Sequence, residues 1–96
     1  MYCIAGKNQC SINALKYLLS KKDIKDEDIS ACVNQDDVGN DGWQPSLKKF
    51  AIDNNIKTYS LEELYNIKNL FFFSLEFDKI IRTKKFKTDK LFNFHF

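Results

Sequence analysis

No CxxC pair occurs in this 96-residue sequence, and its single histidine is too few for the common zinc sets, so no metal site is expected. Three cysteines is an odd number, which argues against a closed disulfide framework. Cys3 and Cys32 sit in short apolar runs and Cys10 opens an expected helix. They read as three reduced, mostly buried thiols of a cytosolic protein. A reactive Cys10 at a helix N-terminus is the alternative. The net charge of +2 is too small to call for a polyanionic partner. Lys79, Arg82, Lys84, Lys85, Lys87 and Lys90 crowd one segment against Asp89, but only Phe86 interrupts them. A nucleic-acid surface interleaves aromatic and basic side chains more evenly, so the segment reads as a solvated face. No apolar run is long enough to span a bilayer. No secretory leader is expected, because the apolar residues 2–5 run straight into Gly6-Lys7-Asn8. There is no GxGxxG, no Walker loop, no internal repeat and no low-complexity linker.

What is present is material for a core. Hydrophobic residues make up 44% of the chain and aromatics 15%, which excludes disorder for a segment long enough to make one small domain. Phenylalanines gather late, at Phe71, Phe72, Phe73 and Phe77 and again at Phe92, Phe94 and Phe96.

Periodicity orders the elements. Residues 2–5 read as a buried strand ended by Gly6. Asn8 is placed to cap the helix that follows, where Ile12, Leu15, Leu18 and Leu19 recur at helical spacing. Residues 29–33 form a second strand, and residues 34–44 a loop rich in Asn, Asp and Gly. Pro45 suits the first turn of a second helix ending near residue 54, with Leu47, Phe50 and Ala51 on its inner face. Residues 56–59 are a weaker strand. Ser60-Leu61-Glu62-Glu63 is a capping-box sequence that starts a short helix. Residues 70–73 and 91–96 complete the set of about five strands. Strands alternating with helices over so short a chain predict βαβ units, an α/β fold and a mostly parallel sheet with strand 1 inside it.

The last strand carries the sharpest chemical signal. Side chains alternate along a strand, so Leu91, Asn93 and His95 share one face and Phe92, Phe94 and Phe96 the other. The Phe face is expected to be core. Ligands of open α/β sheets bind at the carboxyl ends of strands, where Asn and His side by side suit acyl transfer. His can take a proton near neutral pH and Asn can donate to a developing oxyanion. Spacing alone favours a frayed terminal strand with its polar residues in solvent.

Leu91-Phe92-Asn93-Phe94-His95 resembles the strand that carries the Asn-x-His pair of 10-formyltetrahydrofolate-dependent formyltransferases. Three further segments resemble, in order, the branch that formylates amino sugars attached to a nucleotide. They are Tyr2-Cys3-Ile4-Ala5-Gly6-Lys7-Asn8, Asp41-Gly42-Trp43-Gln44-Pro45-Ser46 and Ser74-Leu75-Glu76-Phe77-Asp78. The resemblance implies a Rossmann-like three-layer sandwich, with residues 1–96 as part of the N-terminal catalytic domain. It implies Asn93 and His95 as catalytic residues and N10-formyltetrahydrofolate as cofactor. Leu75, Glu76 and Phe77 would line the folate pocket, the same residues reading otherwise as a turn with Phe77 in the core. Gly6, Lys7, Asn8, Trp43 and Gln44 would meet the nucleotide-linked amino sugar. By their types alone, the first three read as a tight turn and Trp43 as a loop anchor.

The family carries a catalytic Asp after this strand and continues into Ser-Leu-Leu-Pro, neither of which these residues match. The chain is therefore expected to be a truncated and inactive piece of a cytoplasmic enzyme of surface-polysaccharide sugar biosynthesis, without nucleic-acid or membrane partners. A non-catalytic nucleotide-sugar-binding module and an assembly fragment are the competing readings. A terminal strand with three Phe and no partner strand beyond it is expected to self-associate.

Overall fold

The computed structural model describes residues 1–42, 44–75, 77 and 81–94. Five strands, β1 (Tyr2–Gly6), β2 (Ile29–Val33), β3 (Lys57–Thr58), β4 (Phe71–Leu75) and β5 (Leu91–Phe94), form one sheet in the order β3-β2-β1-β4-β5. Every pairing is parallel. β1 is central because Cys3, Ile4 and Ala5 are buried on both of its faces, as an interior parallel strand requires. β3 lies at one edge, short and exposed, with a Lys that blunts it against further pairing.

Three helices cover the sheet from two sides: α1 (Asn8–Leu19), α2 (Leu47–Asp53) and α3 (Leu61–Leu64). On one face Ile4, Ile29, Ala31 and Leu75 pack with Ile12 and Leu15 of α1 and Leu47 and Ala51 of α2. On the other, Cys3, Ala5, Cys32 and Phe72 pack with Leu61 and Leu64 of α3 and with Phe86. The Phe86 ring meets Tyr65 edge-on at 4.8 Å and Phe72 at 5.1 Å. Burial pushes the Cys3 thiol pKa up, which leaves it inert. Cys32 is also buried and Cys10 exposed, and no disulfide joins any of the three. No helix among the described residues is long and apolar enough to cross a membrane.

Two helix starts differ from the sequence reading. Lys7 occupies the cap position of α1 without a side-chain bond, and Asn8 itself adopts a left-handed conformation at φ 66°. Asn is among the few non-glycine residues that tolerate that region, so this asparagine turns the chain rather than capping it. Pro45 precedes the cap of α2 instead of opening its first turn. The cap is Ser46, whose Oγ accepts from the Lys49 backbone N–H at 3.0 Å. The expected box of α3 is present, with Glu63 N–H donating to Ser60 Oγ and Ser60 N–H to the Glu63 carboxylate.

The alternation of β5 is as read, but its Phe side is not core. Phe92 stacks on Phe73 at 5.0 Å, yet Phe92 is 42% and Phe94 45% exposed. The reason is coverage: α1 packs over β1 and β2, and α2 over β2 and β3, so on that face β5 lies beyond both. His95 and Phe96 lie outside the described residues.

Candidate functional site

The order of the sheet fixes where a ligand can enter. The chain runs from β1 outward through β2 and β3, then returns to the other side of β1 for β4 and β5. The carboxyl ends of β1 and β4 therefore form the switch point, where loops diverge and open a crevice. Gly6 and Leu75, the last residues of those strands, are partners across the ladder. A Cβ on Gly6 would collide with the Leu75 carbonyl oxygen and stand 2.5 Å from Ser11 Oγ. Only glycine allows this approach. Ser11 is fully buried beneath the turn, and its hydroxyl has no hydrogen-bond partner among the described residues.

Beyond Gly6, extended Lys7 and left-handed Asn8 lead into α1. They face the loop that follows β2. Asp37 organises that loop: its Oδ1 accepts from Gly39 N–H at 3.1 Å and from Ser46 Oγ at 2.5 Å. Its Oδ2 accepts from Lys48 N–H at 3.0 Å. Burial alone would raise the Asp37 pKa, but the bonds from Ser46, Lys48, Gly39 and Leu47 outweigh it and hold the carboxyl below its ordinary value. Asp41 adds a second tie by accepting from Ser46 N–H at 2.9 Å, and Lys49 lies 3.8 Å from its carboxylate.

Between the turn and this loop lies a cavity of about 270 Å³, lined by Lys7, Asn8, Asp36, Asp37, Val38, Asn40, Gln44, Pro45 and Ser46. The volume approaches the ~300 Å³ at which small-molecule sites begin. Three of the five residues expected to meet the sugar nucleotide, Lys7, Asn8 and Gln44, thus line one cavity. Gly6 lies at its entrance strand, and Trp43 is outside the described residues. The arrangement presents one ammonium, the amides of Asn8, Asn40 and Gln44 and the Asp36 carboxylate, a mixed donor and acceptor set that suits a hydroxyl-rich ligand. Sequence reading did not single out Asp37 or Ser46, although Asp37-Val38-Gly39 is an Asx-turn pattern and Ser46 a good helix cap.

The expected cofactor end is built differently. The Leu75 side chain turns into the core shared with α1 and α2, leaving its backbone at the rim. Phe77 is partly buried against the opposite core, and Glu76 lies outside the described residues. Asn93 pairs with Ser74 across the β4–β5 ladder and is exposed. Its neighbour Leu91 belongs to the same core as Phe77, so alternation puts Asn93 on Phe77's side of the sheet. No group of three or more possible metal ligands occurs among the described residues.

Solved structures that resemble this chain include two sugar N-formyltransferases. One is the N-formyltransferase from Helicobacter canadensis in complex with folinic acid and dTDP-3-aminofucose, 49% identical with a TM-score of 0.89. The alignment covers 96% of this chain and 34% of that one. The other is WlaRD, a sugar 3-N-formyltransferase solved in the presence of dTDP and 5-N-formyl-THF. It is 52% identical with a TM-score of 0.91, over 99% of this chain and 34% of its own. This chain therefore spans about a third of the length of both relatives. No protein-family model and no curated protein matches it.

Proposed function

From the premise that this chain is homologous to a third of the sugar N-formyltransferases it matches, we propose that its 96 residues belong to the catalytic domain of such an enzyme. The enzyme would transfer a formyl group from N10-formyltetrahydrofolate to the amine of a dTDP-linked dideoxyamino sugar. The observation that carries this reading is one cavity, beside the Gly6–Leu75 junction, lined by Lys7, Asn8 and Gln44 from two separate loops.

Each part has a physical task. Lys7 and Asn8 offer an ammonium and an amide to the diphosphate, and Gln44, with Trp43 beside it in sequence, positions the sugar or base. Gly6 lets the substrate turn lie directly against the end of β4. There the Leu75 backbone, Glu76 and the Phe77 ring hold the folate, which supplies the formyl carbon. The Asn93 amide donates to the formyl oxygen as charge gathers on it. His95 takes the proton from the attacking sugar amine. Ligand binding is the activity assigned to these 96 residues, because they span about a third of the relatives' length. Cytoplasmic residence belongs to the same reading.

Calorimetric titration of the 96-residue chain with a dTDP-linked 3-amino sugar tests the proposal. Saturable binding is expected, weakened about tenfold by Lys7→Ala, as loss of one charge-assisted contact implies. Binding that is absent, or indifferent to Lys7→Ala, refutes the assignment of the cavity.

A further inference from the structure

Apart from Asp41, which accepts from the Ser46 N–H and lies near Lys49, the loop that walls the cavity has little of its own to hold it. Residues 38–45 contain Gly39, Asn40, Asp41 and Gly42, and the described residues among them form no strand or helix and contribute no buried apolar residue to either core. Such a segment, left to itself, samples many conformations, and a ligand binding to it must first order it. Yet both ends of this loop meet at one side chain. The Asp37 carboxylate takes the Gly39 amide on the leading side. It takes the Ser46 hydroxyl and Lys48 amide on the trailing side. The last two belong to the cap and first turn of α2, so the carboxylate also lies where the helix dipole favours negative charge.

We propose that Asp37 is the positioning residue of the cavity. By fastening residues 38–45 to the start of α2, it holds Asn40 and Gln44 opposite Lys7 and Asn8 before any ligand arrives. Its oxygens are taken up by protein donors, so it acts through the loop. Ser46 is the second half of the device, donating to Asp37 while its own oxygen accepts from Lys49 N–H. The charged groups around it are Lys7 across the cavity, the adjacent Asp36, Lys48, and the Asp41–Lys49 contact on the α2 side. The identity of the ligand rests on the nucleotide-sugar reading above, whereas the anchoring of the loop does not.

The variants that test this are Asp37→Asn, Ser46→Ala, their double mutant and Ser46→Thr, which keeps the hydroxyl. Each is measured in the 96-residue chain by amide hydrogen exchange and by calorimetric titration with dTDP. In Asp37→Asn the amides of Gly39 and Lys48 should exchange at least about tenfold faster, while Ile4 and Ala31 in the sheet keep their protection. dTDP affinity should fall about tenfold in Asp37→Asn and in Ser46→Ala. The double mutant should fall by much less than the product of the two, and Ser46→Thr should stay close to the unaltered chain. Unchanged loop exchange in Asp37→Asn overturns the proposal. So does faster exchange with unchanged dTDP affinity, because the loop would then be held without consequence for the cavity. If the unaltered chain does not bind dTDP at all, the nucleotide reading fails instead, and the exchange rates alone decide whether Asp37 anchors the loop. If the Asn variant does not fold, Ser46→Ala and Ser46→Thr carry the comparison.

Discussion

Gly6 and Leu75 close the central pair of strands, and they do so at a distance that admits no side chain on Gly6. One residue begins the turn proposed for the sugar nucleotide, and the other ends the strand proposed for the folate. Two half-sites on different segments are thereby brought within reach of each other by a backbone contact. Gly6→Ala should cost about 1–3 kcal/mol, the ordinary penalty of overpacking, and should weaken dTDP binding as the turn shifts. Urea denaturation of the variant gives the first number and calorimetry the second. An alanine tolerated in both would mean that the two strand ends are free to move apart.

Ser11, pressed against the same glycine, predicts the opposite sign. Its hydroxyl is buried with no partner among the described residues, so Ser11→Ala removes an unmet polar group and little volume. The variant should be neutral to about 1 kcal/mol more stable. A clear loss of stability in the denaturation midpoint would show that the hydroxyl is bonded in solution.

Asp37 should give the chain an acid-side stability limit. Its folded pKa is below the ordinary ~3.9, so its contribution is complete above that value and fades as the pH falls below it toward the folded value. Glu63 shifts in the same direction, chiefly through the Ser60 N–H, so acid sensitivity of the native chain has two sources. The difference in melting temperature between the unaltered chain and Asp37→Asn isolates one of them. It should be constant above about pH 5 and shrink toward pH 3. A difference that grows in acid would contradict the assignment.

The exposed Phe92 and Phe94 make self-association the expected behaviour at high concentration, through the β5 edge and the apolar side beside it. Sedimentation should show a concentration-dependent shift that Phe92→Ser with Phe94→Ser suppresses. A compact monomer with a cooperative melt at all concentrations would sink this.

Local signals in the sequence carried most of the fold. The second strand is found at the residues that its apolar run marks, and the Ser60–Glu63 box does what its spacing implies, because both are decided within a few residues. The two helix starts were misread where a nearby residue offered a plausible but weaker device. Asn8 has the chemistry of a cap and the backbone of a turn, and Ser46 rather than Pro45 satisfies the first amides of α2. Phe92 and Phe94 were assigned to core because alternation says which side a residue takes, but not what covers that side. Lys7, Asn8 and Gln44, which the family resemblance pointed to, line one cavity. Asp37 was not legible, since its partners lie up to 11 residues away and only the folded loop brings them to one carboxylate.

Supply of the Asn-x-His strand of a sugar formyltransferase is the role proposed for Asn93 and His95. It is tested most directly by replacing the matching third of the Helicobacter canadensis N-formyltransferase with this chain and measuring formyl transfer to a dTDP-linked 3-amino sugar. The account predicts an active chimera in which His95→Asn and Asn93→Ala each reduce kcat by about 10²–10⁴-fold. A folded chimera without activity, or one that keeps its activity when Asn93 and His95 are both replaced, would contradict it.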